Sequence, residues 1–316
     1  MARVLVFREL PPDQLARLQA AHQVLVADPR QPAQRAAFDA ALREAEGLIG
    51  ASVRIDAALA PKLRAISSIS VGVDNYDLAD LKARGIVLCH TPGVLTETTA
   101  DTIFALIMAS SRRLVELANL VREGRWHKNI GPDLFGWDVQ GKTLGILGYG
   151  RIGQALARRA ALGFNMPVRY YARRPVEVPG LEGRASHGGF EEVLAGSDIV
   201  ALTLPLSDQT RGLMGAREFA LMKPGAIFVN GARGAIVQED ALLAALDSGH
   251  LRAAGLDVFA TEPLPLDSPL RTHPQVTPLP HIGSATHETR YRMAVLASDN
   301  LLAALAGQTP PAAYPL

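Results

Sequence analysis

Short apolar runs alternate with amphipathic helical segments along almost the whole chain, and this alternation restricts the fold more than any other feature. Apolar runs fall at 4–7, 24–26, 47–49, 65–70 and 86–88, with helical patterns at 12–21 and 35–45 between them. A strand, a helix and a second strand in succession pair the two strands in parallel, and the helices cover the sheet. A second series starts at Lys142. Its strands fall at 143–147, 168–171, 199–202, 226–230, 253–256 and 276–279, and its helices at 152–162, 190–195, 216–221 and 238–248. The two series predict an α/β protein with two doubly wound parallel-sheet domains, in keeping with 316 residues at about 150 residues per domain.

A long helix over 97–122 links the two series, with Ile103, Leu106, Ile107, Leu114 and Leu117 on its apolar face. The segment 123–138 reads as a loop because of Gly124, Gly131, Pro132 and Gly136, yet it carries Trp126, Leu134, Phe135 and Trp137. An apolar loop of this length rarely sits free in water. It is expected to pack on a second subunit, the other reading being a cover over its own core. The last helix, 286–306, ends at Gly307 with Pro310 beyond it. It comes after the second sheet is complete, so it is expected to cross back to the first domain.

The strand 143–147 runs directly into Gly148-Tyr149-Gly150-Arg151-Ile152-Gly153, and a helix follows at once. In that setting Gly148 permits a tight turn, Gly150 lets backbone approach a pyrophosphate, and Gly153 lets helix and strand pack closely. The helix N-terminus then offers N–H groups to the anion. The next strand indicates which dinucleotide. An NAD site usually ends that strand in an acid, about 20 residues past the turn. Here Val168-Arg169-Tyr170-Tyr171 is followed by Ala172-Arg173-Arg174, with no carboxylate. Two guanidiniums suit a 2′-phosphate, which favours NADP. The other reading is a pair of solvated arginines with NAD bound.

Three patches in the second half combine residues suited to one reaction. They are Val229-Asn230-Gly231-Ala232-Arg233-Gly234, then 255–263 with Asp257 and Glu262, then 278–285 with His281 and Gly283. An arginine can grip the carboxylate of a 2-oxo acid and polarise its ketone. A histidine can protonate the alkoxide that hydride transfer creates. A carboxylate bonded to the imidazole orients it and favours its protonated form. Arg233, His281 and Glu262 fit these roles. Singly, each also reads as a surface arginine, a capped loop histidine or a solvated acid. Their joint position at consecutive strand ends favours the catalytic set.

These stretches resemble the D-isomer-specific 2-hydroxyacid dehydrogenases over nearly the full length, especially the branch that reduces glyoxylate, hydroxypyruvate and 2-ketogluconate. The matching stretches are Val71-Gly72-Val73-Asp74-Asn75, 90–98, 130–133, Gly163-Phe164-Asn165-Met166-Pro167 and 280–290. The resemblance implies a Rossmann cofactor domain, 98–285, inserted in a flavodoxin-like substrate domain made of 1–97 and 286–316, with 98–140 serving dimerisation. It implies a homodimer, the catalytic set Arg233, Glu262 and His281, and main-chain N–H groups of Val71 and Gly72 on the substrate carboxylate. It places Arg151 and Ile152 at the pyrophosphate, Leu204, Pro205 and Thr210 along the cofactor cleft, and Asp257 and Gly283 near the nicotinamide, with Ala232 also among the cofactor-binding residues. Phe135 and Trp137 depart from the branch. The family also includes corepressor-type proteins that sense the dinucleotide, and NAD-linked dehydrogenases that run toward oxidation.

Other classes fit poorly. Lys and Arg number 32 against 31 Asp and Glu, so the net charge of +1 asks for neither nucleic acid nor an anionic membrane. Apolar runs such as 103–109 fall far short of the ~20 residues of a membrane helix. The early charge at Arg3 opposes a secretory signal, and a cytoplasmic enzyme is expected. Cys89 stands alone between apolar neighbours, so no intrachain disulfide or cysteine zinc site forms, and an inert thiol is expected. The remaining histidines have no metal-ligand spacing; His127 and His273 read as solvated loop residues, while His287 could line a substrate cleft.

Overall fold

A computed structural model describes all 316 residues. They divide into two compact units, residues 1–95 with 284–316, and residues 96–283.

The first unit holds five parallel strands: β1 (Arg3–Val6), β2 (Gln23–Val26), β3 (Gly47–Gly50), β4 (Ala65–Ser68) and β5 (Val87–Cys89). Their spatial order is β2-β1-β3-β4-β5, the flavodoxin-like order. The inner strands β3 and β4 are buried throughout, as a parallel sheet covered on both faces requires. One face packs on α2 (Arg35–Glu44) and α3 (Leu78–Ala83) through Phe38, Leu42, Leu48, Ile66 and Leu81. The other face takes α1 (Pro12–Ala21) and α10 (His287–Leu305), numbered in chain order. Thr286 caps α10 by accepting from the Thr289 amide, and Gly307 ends it at φ +72°. The last helix therefore packs on the N-terminal sheet: Ser67 donates to Ala297 O at 2.8 Å. The tail beyond it pairs antiparallel with β5, where the Tyr314 amide donates to Leu88 O at 2.7 Å.

The second unit opens with α4 (Thr96–Arg112) and α5 (Leu114–Arg122). The single helix expected over 97–122 is thus two. Arg113 breaks it by adopting a left-handed conformation at φ +55°, where its guanidinium is fixed by Glu116 at 2.6 and 2.7 Å. Seven parallel strands follow: β6 (Leu144–Leu147), β7 (Val168–Tyr171), β8 (Ala185–His187), β9 (Ile199–Leu202), β10 (Ala226–Asn230), β11 (Leu251–Leu256) and β12 (Val276–Pro278). Their order, β12-β11-β10-β9-β6-β7-β8, is the Rossmann order with one strand added. The sequence pattern supplied six of them and missed β8, whose residues Ala185, Ser186 and His187 carry no apolar alternation. One face buries α4 and α6 (Arg151–Arg158), whose Ile103, Leu106 and Leu156 share a core with Ile146 and Val229 of the sheet. The other buries α7 (Phe190–Gly196), α8 (Ala216–Leu221) and α9 (Glu239–Asp247), with Phe219 and Leu242 of the helices sharing a core with Leu202 and Phe228 of the sheet. Close packing explains two glycines: a Cβ at Gly231 would lie 2.3 Å from Ile103, and one at Gly255 would lie 2.9 Å from Ser110.

Cys89 is fully buried and its thiol is pushed up to about 11 by burial, which makes it inert. No three His, Cys, Asp or Glu side chains are arranged to hold a metal ion, and no helix is long and apolar enough to cross a membrane.

Candidate active site

Strand direction in the second unit sends the candidate residues of that unit to one rim. In a parallel sheet all carboxyl ends share an edge, and ligands bind there, where strand order reverses. The glycine turn follows β6, Arg173 and Arg174 follow β7, and Leu204 and Pro205 follow β9. Ala232 and Arg233 follow β10, Asp257 follows β11, and His281 and Gly283 follow β12. The reversal falls between β6 and β9.

The glycine turn fits a dinucleotide on its own geometry. Gly148 has φ +101°, and a Cβ there would lie 2.8 Å from the Leu204 amide nitrogen. A Cβ on Gly153 would lie 2.3 Å from Gly148 O. Both glycines are therefore required by the protein's own packing. Gly150 differs, because a Cβ there would meet no protein atom within 4 Å. The space beside it is open for a pyrophosphate to approach the backbone. Gly150 begins α6 without a side-chain cap, leaving Arg151, Ile152 and Gly153 to present the first-turn amides. Thr210 closes the loop after β9, donating to Pro205 O at 2.7 Å and accepting from the Ser207 amide at 2.8 Å.

Arg173 and Arg174 are exposed, and neither makes an ion pair or hydrogen bond within the chain. No carboxylate ends β7.

His281, Glu262 and Arg233 lie in the same unit. His281 Nδ1 meets Glu262 Oε2 at 2.7 Å. A carboxylate accepts, so Nδ1 carries the proton in this contact and Nε2 is the nitrogen left to exchange one. The backbone sets the pose. His281 sits at φ +54°, a left-handed conformation unusual for a side-chain-bearing residue. Just beyond it, the buried Asp257 carboxylate accepts from the Ile282 amide at 2.7 Å and the Gly283 amide at 2.8 Å. Burial raises the Asp257 carboxyl above its usual range, and those two amides only partly offset it. Burial also pushes Glu262 upward. There, however, the bond to His281, the Phe259 amide at 3.0 Å and the charges of His281 and Arg233 prevail, and the carboxyl lies below its usual range.

Two residues given no role by sequence reasoning shape these loops. Asn230, buried at the end of β10, donates to Arg233 O at 3.1 Å and accepts from the Ala232 amide at 3.0 Å. It fixes the turn that carries Arg233. Glu239 accepts from the Ala260 amide at 2.8 Å and so steadies the loop that ends in Glu262. A polar residue closing a buried apolar strand was the available signal for Asn230.

Val71 and Gly72 belong to the first unit, on the loop beyond β4, half-buried, with Val71 O bonded to His90 Nδ1 at 3.0 Å. His127 and His287 are exposed. His273 departs from the expected solvated residue: its side chain is only 11% exposed and contacts Asp247 at 3.3 Å, because it folds into the loop before β12 and accepts from the Gln275 amide.

Residues 104–283 match the model of the D-isomer specific 2-hydroxyacid dehydrogenase, NAD binding domain. Glyoxylate/hydroxypyruvate reductase B of Shigella boydii is 53% identical over 311 residues, 96% of this chain and 95% of that protein. The protein of the same name from Escherichia coli is equally similar. Among solved structures, a Thermus thermophilus protein superposes with TM-score 0.90 at 45% identity, covering 99% of this chain and 100% of that one. An NADPH-dependent glyoxylate/hydroxypyruvate reductase from Sinorhizobium meliloti, solved with NADP and malonate, superposes with TM-score 0.88 at 31% identity, covering 99% and 96%. With the family model spanning more than half of its residues and relatives this similar along nearly all of it, the chain belongs to the D-isomer specific 2-hydroxyacid dehydrogenase family.

Proposed function

We propose that the protein is an NADPH-preferring reductase that converts small 2-oxo acids (glyoxylate, hydroxypyruvate and 2-ketogluconate) to D-2-hydroxy acids, with His281 as general acid. The observation that carries this reading is the 2.7 Å contact of His281 Nδ1 with Glu262, on the same sheet rim as Arg233 and the glycine turn. The names of the relatives support the substrate class. In this reading the unit of 96–283 binds the dinucleotide and the unit of 1–95 with 284–316 receives the substrate.

A reduced nicotinamide bound at the rim supplies the hydride. Arg233 grips the substrate carboxylate and draws charge from the ketone oxygen. In the first unit, Val71 and Gly72 offer main-chain N–H groups suited to a carboxylate. His281 delivers a proton from Nε2 to the new alkoxide, and Glu262 stabilises the imidazolium until it does. Gly148, Gly150, Arg151, Ile152 and Gly153 hold the pyrophosphate. Leu204, Pro205 and Thr210 line the path of the dinucleotide, and Ala232, Asp257 and Gly283 flank the nicotinamide. Arg173 and Arg174 take the 2′-phosphate, which their lack of any acidic partner supports. The reading places the enzyme in the cytoplasm.

The test is a panel of the three acids with each reduced dinucleotide. One charge-assisted contact to the 2′-phosphate contributes about 1.5–3 kcal/mol, so kcat/KM with NADPH should exceed that with NADH at least about tenfold. Equal use of NADH points instead to an NAD-linked dehydrogenase. Dinucleotide binding without turnover of any acid points to a sensing protein of the same fold.

We also propose a homodimer through α5 and residues 123–138. Helix α5 buries none of its residues, and Leu114, Val121, Trp126, Ile130, Phe135 and Trp137 are all exposed in the single chain. Exposed apolar groups this numerous in one segment mark an association surface, and a second copy of the chain offers a self-complementary one. Light scattering should return twice the chain mass of 33.7 kDa, and Leu114→Glu with Trp137→Glu should return one chain mass. A monomeric wild type at micromolar concentration rules the dimer out.

A further inference from the structure

The loop that bears Arg173 and Arg174 is exposed at its centre yet tied at both ends. At one end His187 Nε2 lies 2.9 Å from Ala172 O. A carbonyl only accepts, so the ring nitrogen donates. At the other end the Tyr170 hydroxyl donates to Val176 O at 2.9 Å and accepts from the Val176 amide at 3.0 Å. Tyr170 is itself buried and contacts two other rings. Tyr149, from the glycine turn, stacks on it with centroids 3.7 Å apart and planes 11° apart. The His187 ring packs on Tyr170 at a tilt, with centroids 5.5 Å apart. The Gly148 amide donates to Tyr171 O at 3.0 Å, so β7 and the glycine turn are also joined through the backbone.

We propose that Tyr170 and His187 are positioning residues that hold the loop 172–176 with both guanidiniums ready for a 2′-phosphate, and so set the preference of this enzyme for NADP over NAD. The inference rests on the reading of Arg173 and Arg174 given above. The physical reason is preorganisation. Arginine side chains on a free loop must be ordered when they bind, and a loop already fixed at both ends loses less freedom. NAD has no 2′-phosphate, so it gains nothing from a fixed loop. The two tyrosines differ in a way that makes the inference testable. The buried Tyr149 hydroxyl has no hydrogen-bond partner, and burial pushes it up to about 12. It contributes its ring, whereas Tyr170 contributes ring and hydroxyl.

The test measures binding of NADP and of NAD by calorimetry, together with amide exchange over residues 172–178. Tyr170→Phe keeps the stack and loses both bonds to Val176. It should raise the NADP dissociation constant on the order of tenfold, as expected when preorganisation is lost, with less than a twofold change for NAD, and should speed exchange at Val176. His187→Ala should act in the same direction. Tyr149→Phe loses no hydrogen bond and should leave exchange at Val176 no faster and the melting temperature no lower than in the wild type. If Arg173→Ala with Arg174→Ala weakens NADP while Tyr170→Phe and His187→Ala do not, the tether is overturned and the arginine reading stands. Equal weakening of NADP and NAD by Tyr170→Phe means packing alone, and also overturns it. If the double arginine variant leaves NADP affinity intact, the arginine reading falls and this inference falls with it.

Discussion

His281→Gln lowers turnover of 2-oxo acids by roughly a thousandfold, the middle of the 10²–10⁴ range for a positioned general acid, while the dinucleotide binds as in the wild type. Glutamine is near in length and can still donate to Glu262, but it cannot ionise near neutrality and so has no proton for the alkoxide. The phosphate turn lies on β6 and α6, away from β12, so its geometry is untouched. Single-turnover kinetics with calorimetric dinucleotide binding separates the two effects. Residual activity above a tenth of wild type removes His281 from the acid role. The partner carboxylate sets a pH limit. Its value in the fold is depressed by His281 and the Phe259 amide despite burial. A carboxyl depressed in this way stabilises the fold above its ordinary unfolded value, and that contribution is lost as pH falls through the lower, folded value. The Glu262–His281 pair therefore remains intact at neutral pH.

Gly234→Ala has the second large effect, on folding. A Cβ at Gly234 would lie 1.8 Å from the Phe259 carbonyl carbon and 2.3 Å from the Ala260 nitrogen. Both are backbone atoms, so no rotamer relieves the overlap. Either the turn carrying Arg233 or the loop carrying Glu262 must move. Overpacking a fitted core usually costs 1–3 kcal/mol, and a backbone clash belongs at or above the top of that range. About 3 kcal/mol corresponds to a fall in melting temperature of roughly 6–12 °C for a domain of this size. Calorimetry on the soluble fraction reads the shift, and activity should fall with it because Arg233 is displaced from Glu262. A wild-type melting temperature and activity in Gly234→Ala show that the two loops do not approach as described.

Much of the site was legible because its residues are local to strand ends. The fingerprint 148–153 lies inside one strand–turn–helix unit, and three later motifs each close a strand, so parallel topology brings them to one rim without any further information. Arg173 and Arg174 reach the same rim because they follow β7. The departures have other causes. Periodicity is blind to a single left-handed residue, so the break at Arg113 was hidden in a continuous apolar pattern. Strand β8 pairs only at the edge of its sheet, and Ala185-Ser186-His187 has no buried run to announce it. His273 looked solvated because nothing in its neighbours reveals that its loop folds back on Asp247.

By itself the sequence determined the α/β class, the two series of strands, the glycine turn between β6 and α6 and the candidate residues at the strand ends, because those depend on short-range patterns of apolarity, glycine and charge. Only the tertiary structure decided which atoms meet. It showed why Gly234 must be glycine, why Gly150 differs from Gly148 and Gly153, how Asp257 shapes the turn of His281 from a different strand, and how Tyr170 reaches Val176 while stacking on Tyr149. Those are contacts between backbone segments and side chains set by packing at van der Waals distance, and a one-dimensional pattern does not carry them.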